Sequence, residues 1–142
     1  MNCDLVNAVK ILNKENYTCV LCCGDNQYTS AKRGVKPLLD WFESGMDFNG
    51  FSAADKVVGN AAAFLYVLLG VKAVYAPVIS EAAIHTLKEN GVEIQYDLAV
   101  KYIVNRTGDG CCPMEESVKG LSDPKKALCA IRIKLKELMN GI

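Results

Sequence analysis

The sequence predicts an α/β layer fold, and three observations predict it. Between Phe51 and Asp97, apolar runs of helical length alternate with shorter β-rich ones; Gly70 and Gly91 punctuate them; and Ser52 and Ser80 stand where helix caps belong. Helix, strand, helix, strand with short links calls for parallel strands joined by right-handed crossovers. At 142 residues the chain has the size of one domain with one core.

From the N-terminus, Asp4 to Lys14 carries Leu5, Ala8, Val9 and Leu12 on one stripe, an amphipathic helix that packs on a sheet. Tyr17 to Cys23 is rich in β-formers, Gly24-Asp25-Asn26 is a turn, and Gln27 to Ala31 pairs back as a hairpin. A basic, punctuated stretch from Lys32 leads into a short helix over Pro37 to Glu43, with proline at its start and Gly45 beyond its end. The central helix is expected to begin at Ser52 as cap, because Ala54, Val58, Ala61, Leu65, Leu68 and Leu69 recur at helical spacing almost all the way round. Gly70 ends it, and Lys72 to Ala76 reads as a strand covered on both faces. Ser80 caps the next helix, with Ala83, Ile84 and Leu87 inward, before Gly91 and a strand over Val92 to Tyr96. Leu98 to Val104 predicts a short helix, residues 105–113 a glycine loop, and Met114 to Lys119 a helical turn. Asp123 as cap and Pro124 at the first position start a last helix striped by Leu128, Ile131, Leu135 and Leu138.

Composition excludes several classes. Sixteen basic and sixteen acidic residues balance, which argues against nucleic acid and a charged membrane surface as partners. The longest apolar run, Ala61 to Leu69, falls well short of the roughly 18 residues of a spanning helix, so no membrane is expected. MNCDLVNAVK lacks the apolar core of an export signal, and a cytoplasmic protein is the expectation. Seven cysteines, an odd number beside a large apolar core, read as reduced thiols rather than a disulfide framework.

The order helix, hairpin, helix, strand, helix, strand resembles the cytidine-deaminase-like fold. FSAADKVVGNAAA, YAPVISEAA and NRTGDGCCPME are similar to the motifs of a prokaryotic domain-of-unknown-function family with that fold. The resemblance covers roughly Tyr17 to Glu115. It implies a three-layer fold with a mixed sheet flanked by helices over residues 1–121, and an extra C-terminal helix, residues 122–142, packed on the same domain. Catalytic deaminases hold zinc through a His or Cys in H-x-E at one helix N-terminus and two cysteines in P-C-x-x-C at another. Laid on this chain, those positions fall on Ala53-Ala54-Asp55 and Pro77-Val78-Ile79-Ser80-Glu81. Ala53 and Val78 cannot bind zinc, so the resemblance implies no cofactor and stops short of hydrolytic zinc chemistry.

Asp55, Lys56, Ser80 and Glu81 remain there. As plain structure, Ser52 and Ser80 are caps, with Asp55 and Glu81 as favourable first-turn acids. As function, the set lines a pocket for a small anionic, nucleotide-related ligand between two helix N-termini. Ser52 joins the lining, Lys56 and Arg33 meet a phosphate, and Arg33, Asn105, Arg106 and Cys112 close the pocket from flanking loops. Two other classes stay open. One is a non-catalytic interaction module, with a homo-oligomer or partner held by the last helix or the Cys111-Cys112 loop; the other is an enzyme using Asp55 or Cys112. Cys19 and Cys22 have the spacing of a metal half-site, but on a strand residues three apart point to opposite faces. His85, mid-helix, reads as a structural side chain. Lys125, Arg132 and Lys136 read as a solvated face.

Overall fold

The computed structural model describes residues 3–32, 34–103 and 112–139. In chain order the elements are α1 (Cys3–Lys14), β1 (Cys19–Cys23), β2 (Asn26–Ser30), α2 (Lys36–Glu43), β3 (Ser52–Asp55), β4 (Val57–Val58), α3 (Asn60–Leu69), β5 (Ala73–Ser80), α4 (Glu81–Glu89), β6 (Glu93–Val100), α5 (Pro113–Ser117) and α6 (Pro124–Met139). The sheet is mixed. β2 and β1 form the predicted hairpin, with Gly24 at φ +59 in its two-residue turn, and β1 runs antiparallel to β3. β3 and then β4 run parallel along one side of β5, and β6 runs parallel along the other.

Alternation along β1 sorts the sheet's two faces. Cys19 and Leu21 join Ala53 and Val74 in the main core, while Val20 and Cys22 join Ala54 beneath Ala8 and Leu12 of α1. Cys19 and Cys22 therefore face opposite ways, as strand geometry requires. The main core lies under α3 and α4, giving helix, sheet and helix layers. α6 adds to the outer layer through Ala127, Leu128 and Ile131, packed on α3. Phe64, Leu65 and Tyr66 of α3 are fully buried, each such side chain contributing about 1.5–3 kcal/mol by leaving water.

Besides β5, which runs on past Ala76 to Ser80, two element boundaries differ from expectation. Ser52 caps no helix. Ser52 to Asp55 is β3, wholly buried between β1 and β5, and α3 begins eight positions later at Asn60. A strand covered on both faces shows no alternation to set it apart from a buried helix, so Ala54 of β3 and Val58 of β4 matched the helical template by chance. The alignment of the H-x-E spacing with Ala53 to Asp55 as a helix start fails for the same reason. The second difference is at Leu98, where a helix is expected; β6 instead continues to Val100, its last residues pairing with Val78, Ile79 and Ser80. An edge strand with most of its residues exposed has no apolar period to read.

Candidate functional site

Asp55 ends β3 next to the start of α3, and the fold nearly buries it, with 8% exposure. Tyr66, on the inward side of α3, donates its hydroxyl to Asp55 Oδ2 at 2.7 Å, and the Val57 N–H donates to Oδ1 at 3.4 Å. Burial pushes the carboxyl from the ordinary aspartate value up to about 7, against the pull of the Tyr66 hydroxyl and the Val57 and Lys56 N–H groups. Burial, then the nearby Asp55, holds the Tyr66 phenol well above its usual range. The same two causes raise the thiol of Cys19, which pairs with Asp55 across the sheet.

This carboxyl lines a cleft of about 320 Å³ whose mainly apolar wall includes Cys19, Val57, Ala62, Ile103 and Met114, with Lys56 and Cys112 at its sides. A carboxyl titrating near neutrality in such a setting can accept a hydrogen bond from an amino group or donate one to a ring nitrogen.

Next to Asp55 is the N-terminus of α3, which has no side-chain cap of its own because Gly59 stands at the cap position. Glu115, from α5, supplies one. Its Oε1 accepts from the Asn60 N–H at 2.7 Å and its Oε2 from the Ala61 N–H at 2.9 Å. The carboxylate thus satisfies two orphan donors and meets the positive end of the helix dipole. Glycine at 59 is what lets it approach, since a Cβ there would run into the Glu115 carboxylate. Thr86 of α4 donates its hydroxyl to Asn60 Oδ1, tying the starts of the two helices together.

Glu115 also borders a second, more polar cleft of about 520 Å³, beyond the carboxyl end of β5, where Ser80, Lys101, Tyr102 and Lys119 converge. Ser80 is the cap of α4 as the sequence predicts, accepting from the Ala83 N–H at 3.1 Å. Lys101 and Lys119 enter no salt bridge among the described residues.

The residues singled out in the sequence are therefore divided. Asp55, Lys56 and Cys112 share the first cleft, and Ser80 lines the second. Ser52 is buried in the middle of the sheet and reaches neither; Glu81 is exposed on the first turn of α4 and lines neither. Arg33, Asn105, Arg106 and Cys111 lie outside the described residues. Sequence reasoning missed Tyr66, Lys101, Lys119 and above all Glu115, whose partner is 55 positions away and carries no local signal. The expected convergence of two unpaired helix N-termini is corrected: Glu115 fills one and Ser80 caps the other. Among the described residues no three His, Cys, Asp or Glu side chains group as metal ligands, and no helix is long and apolar enough to cross a membrane.

Fold and site together define a mixed-sheet α/β protein with paired clefts at the carboxyl ends of its parallel strands, where ligands of such sheets sit. The chain belongs to the family described as TM1506: Domain of unknown function (DUF1893), which matches residues 7–135. It is similar to the crystal structure, at 2.70 Å, of a DUF1893 family protein (TM1506) from Thermotoga maritima, with 29% sequence identity and a TM-score of 0.83 over 96% of this chain and 92% of that one. No curated protein matches.

Proposed function

We propose that the protein is a deaminase-like binder of a small nucleotide-related anion, working without zinc and seating one ligand across both clefts. The planar body of the ligand lies in the first cleft with a ring N–H or amino group on Asp55, and its anionic end lies in the second, between Lys101 and Lys119. Glu115 stands between them and meets the ligand's hydroxyls with the lone pairs its helix cap leaves over. The observation that carries this reading is the buried Asp55 carboxyl on an apolar wall, one carboxylate away from a cleft with two lysines free of salt bridges among the described residues. The cleft volumes, about 320 and 520 Å³, suit small-molecule sites of roughly 300–1,000 Å³. Glu115 also shifts the expected anion position. With its carboxylate on the α3 N-terminus, a phosphate is better placed beside the lysines than on that helix.

Thermal-shift titration with nucleosides, nucleoside monophosphates and inorganic phosphate tests this. At a hundred times its dissociation constant a ligand adds about 2.7 kcal/mol of stability. The monophosphate is expected to stabilise most, Lys101→Glu with Lys119→Glu to remove the phosphate-dependent part, and Asp55→Asn to weaken the base-dependent part. Equal stabilisation of the wild type and the lysine double variant, or none with any of these compounds, would contradict the reading.

A further inference from the structure

We propose, resting on the two-cleft reading above, that Glu115 and Asn60 hold a vicinal diol and that the ligand is therefore a free ribonucleoside 5′-phosphate. The Glu115 carboxylate is held by both oxygens. Oε1 accepts from the Asn60 N–H at 2.7 Å and Oε2 from the Ala61 N–H at 2.9 Å, which fixes its position and its plane. Asn60 lines the second cleft and Ala61 the first, while Glu115 lines both. The carboxylate therefore stands on the ridge between the clefts. Each of its oxygens has about two lone-pair sites and spends one on the helix; the other has no partner among the described residues.

Asn60 adds the complementary group. The Thr86 hydroxyl donates to Asn60 Oδ1, so the amide oxygen is spent within the protein and the NH2 is left to donate in the second cleft. Two acceptors and one donor side by side select the ligand group by its chemistry. A phosphate only accepts, and the carboxylate repels it. An ammonium only donates, and Lys101 and Lys119, free of salt bridges among the described residues, oppose its charge. A metal ion finds no group of three His, Cys, Asp or Glu side chains among the described residues. Hydroxyls are neutral and do both. A pair on neighbouring carbons donates one hydrogen bond to each carboxylate oxygen and accepts from the Asn60 NH2.

The connectivity of the sugar then places the rest of the ligand. In a ribonucleoside the 2′ carbon adjoins the carbon that carries the base, and the 3′ carbon adjoins the one from which the 5′-phosphate hangs. A diol seated on the ridge sends the base to one side, into the first cleft with Asp55, and the phosphate to the other, towards Lys101 and Lys119. A 2′-deoxyribonucleotide leaves one carboxylate oxygen facing no donor, which costs more for a charged acceptor than for a neutral one. A 3′-phosphate, or a nucleotide inside an RNA chain, has lost its second hydroxyl to the ester and brings a phosphate against the carboxylate. The site thus takes free ribonucleotides and turns away deoxynucleotides and polynucleotides.

Isothermal titration calorimetry of the full chain with the common ribonucleoside 5′-monophosphates, their 2′-deoxy counterparts and the matching 3′-monophosphates tests the diol site. For the base that binds best, the ribo 5′ form is expected to bind about tenfold to a hundredfold more tightly than the other two, the usual worth of a hydrogen bond to a charged group. Glu115→Gln keeps the length of the side chain but not its pair of charged acceptors, and is expected to bring the ribo and deoxy forms close to equal. Should that variant fail to fold, the wild-type series decides alone. Ribo and deoxy forms that bind the wild type alike overturn the diol site and leave the two-cleft reading standing. A ribo preference that Glu115→Gln leaves intact overturns the assignment to Glu115. Absence of binding by all of these compounds overturns the diol site and the two-cleft reading together.

Discussion

Replacing Asp55 by asparagine isolates what it costs to ionise a carboxyl in the floor of the cleft. Asparagine has nearly the same shape, and its side-chain oxygen still accepts from the Tyr66 hydroxyl, but it carries no charge at any pH. In the folded protein burial raises the carboxyl from 3.8 to about 7, which corresponds to roughly 4 kcal/mol of added cost for the charged form. The direction follows from proton counts. Between the ordinary aspartate value and about 7 the folded chain holds a proton that the unfolded chain has lost, so the stability owed to Asp55 falls as pH rises through that window and levels off above it. Urea unfolding of both proteins from about pH 4 to about pH 8 reads this as a difference, in which every other titrating group cancels to first order. The wild type is expected to lose of order 2–4 kcal/mol relative to Asp55→Asn across the range. A difference that stays flat would show that the carboxyl titrates as an ordinary surface aspartate, and the chemistry assigned to the first cleft would go with it.

The Glu115 cap makes a double-mutant prediction. Glu115→Ala alone should cost about 1 kcal/mol, a usual value for a lost helix cap. Gly59→Ala alone should cost about as much, because its Cβ pushes the flexible end of Glu115 aside and the cap is lost with it. In the double variant the glycine change should add almost nothing, and strict additivity by chemical denaturation would count against the contact. For the thiols, brief alkylation of the native protein followed by mass mapping should modify exposed Cys3 and Cys129 first, then half-buried Cys112. Cys19, its thiol raised by burial and Asp55, and Cys22, pushed up to about 11 by burial and Asp4, should stay unmodified until the chain unfolds. Early labelling of Cys19 would contradict the packing of β1.

What the sequence made legible was set by local signals. The β1–β2 hairpin followed from Gly24 and the β-rich runs around it. Ser80 announced the start of α4, and Asp123 with Pro124 announced α6, where Asp123 Oδ1 accepts from the Lys125 N–H at 2.9 Å. The coarse α/β class with a mixed sheet followed from these. The start of the central helix did not, because Ser52 to Asp55 is enclosed by neighbouring strands and helices, and burial on all sides erases the period that tells strand from helix. The site was legible in fragments for a related reason. The sequence marks Ser80 as a cap and Asp55 as a first-turn acid of converging helices, which is right for Ser80 and wrong for Asp55. Asp55 matters because Tyr66, from the next helix, turns its hydroxyl onto it. Glu115 and Lys119 reach the clefts only because α5 folds back over the start of α3, a long-range contact with no periodic or capping signature in the chain.

Backbone amide NMR during titration with a nucleoside monophosphate asks most directly whether the two clefts take one ligand. Concerted shifts are expected at Asp55, Val57 and Gly59 around the first cleft and at Ser80, Ala82, Lys101 and Lys119 around the second, all fitting a single dissociation constant. Amides that stay still at millimolar ligand, or that shift only on surfaces away from both clefts, such as β2 or α6, would contradict it.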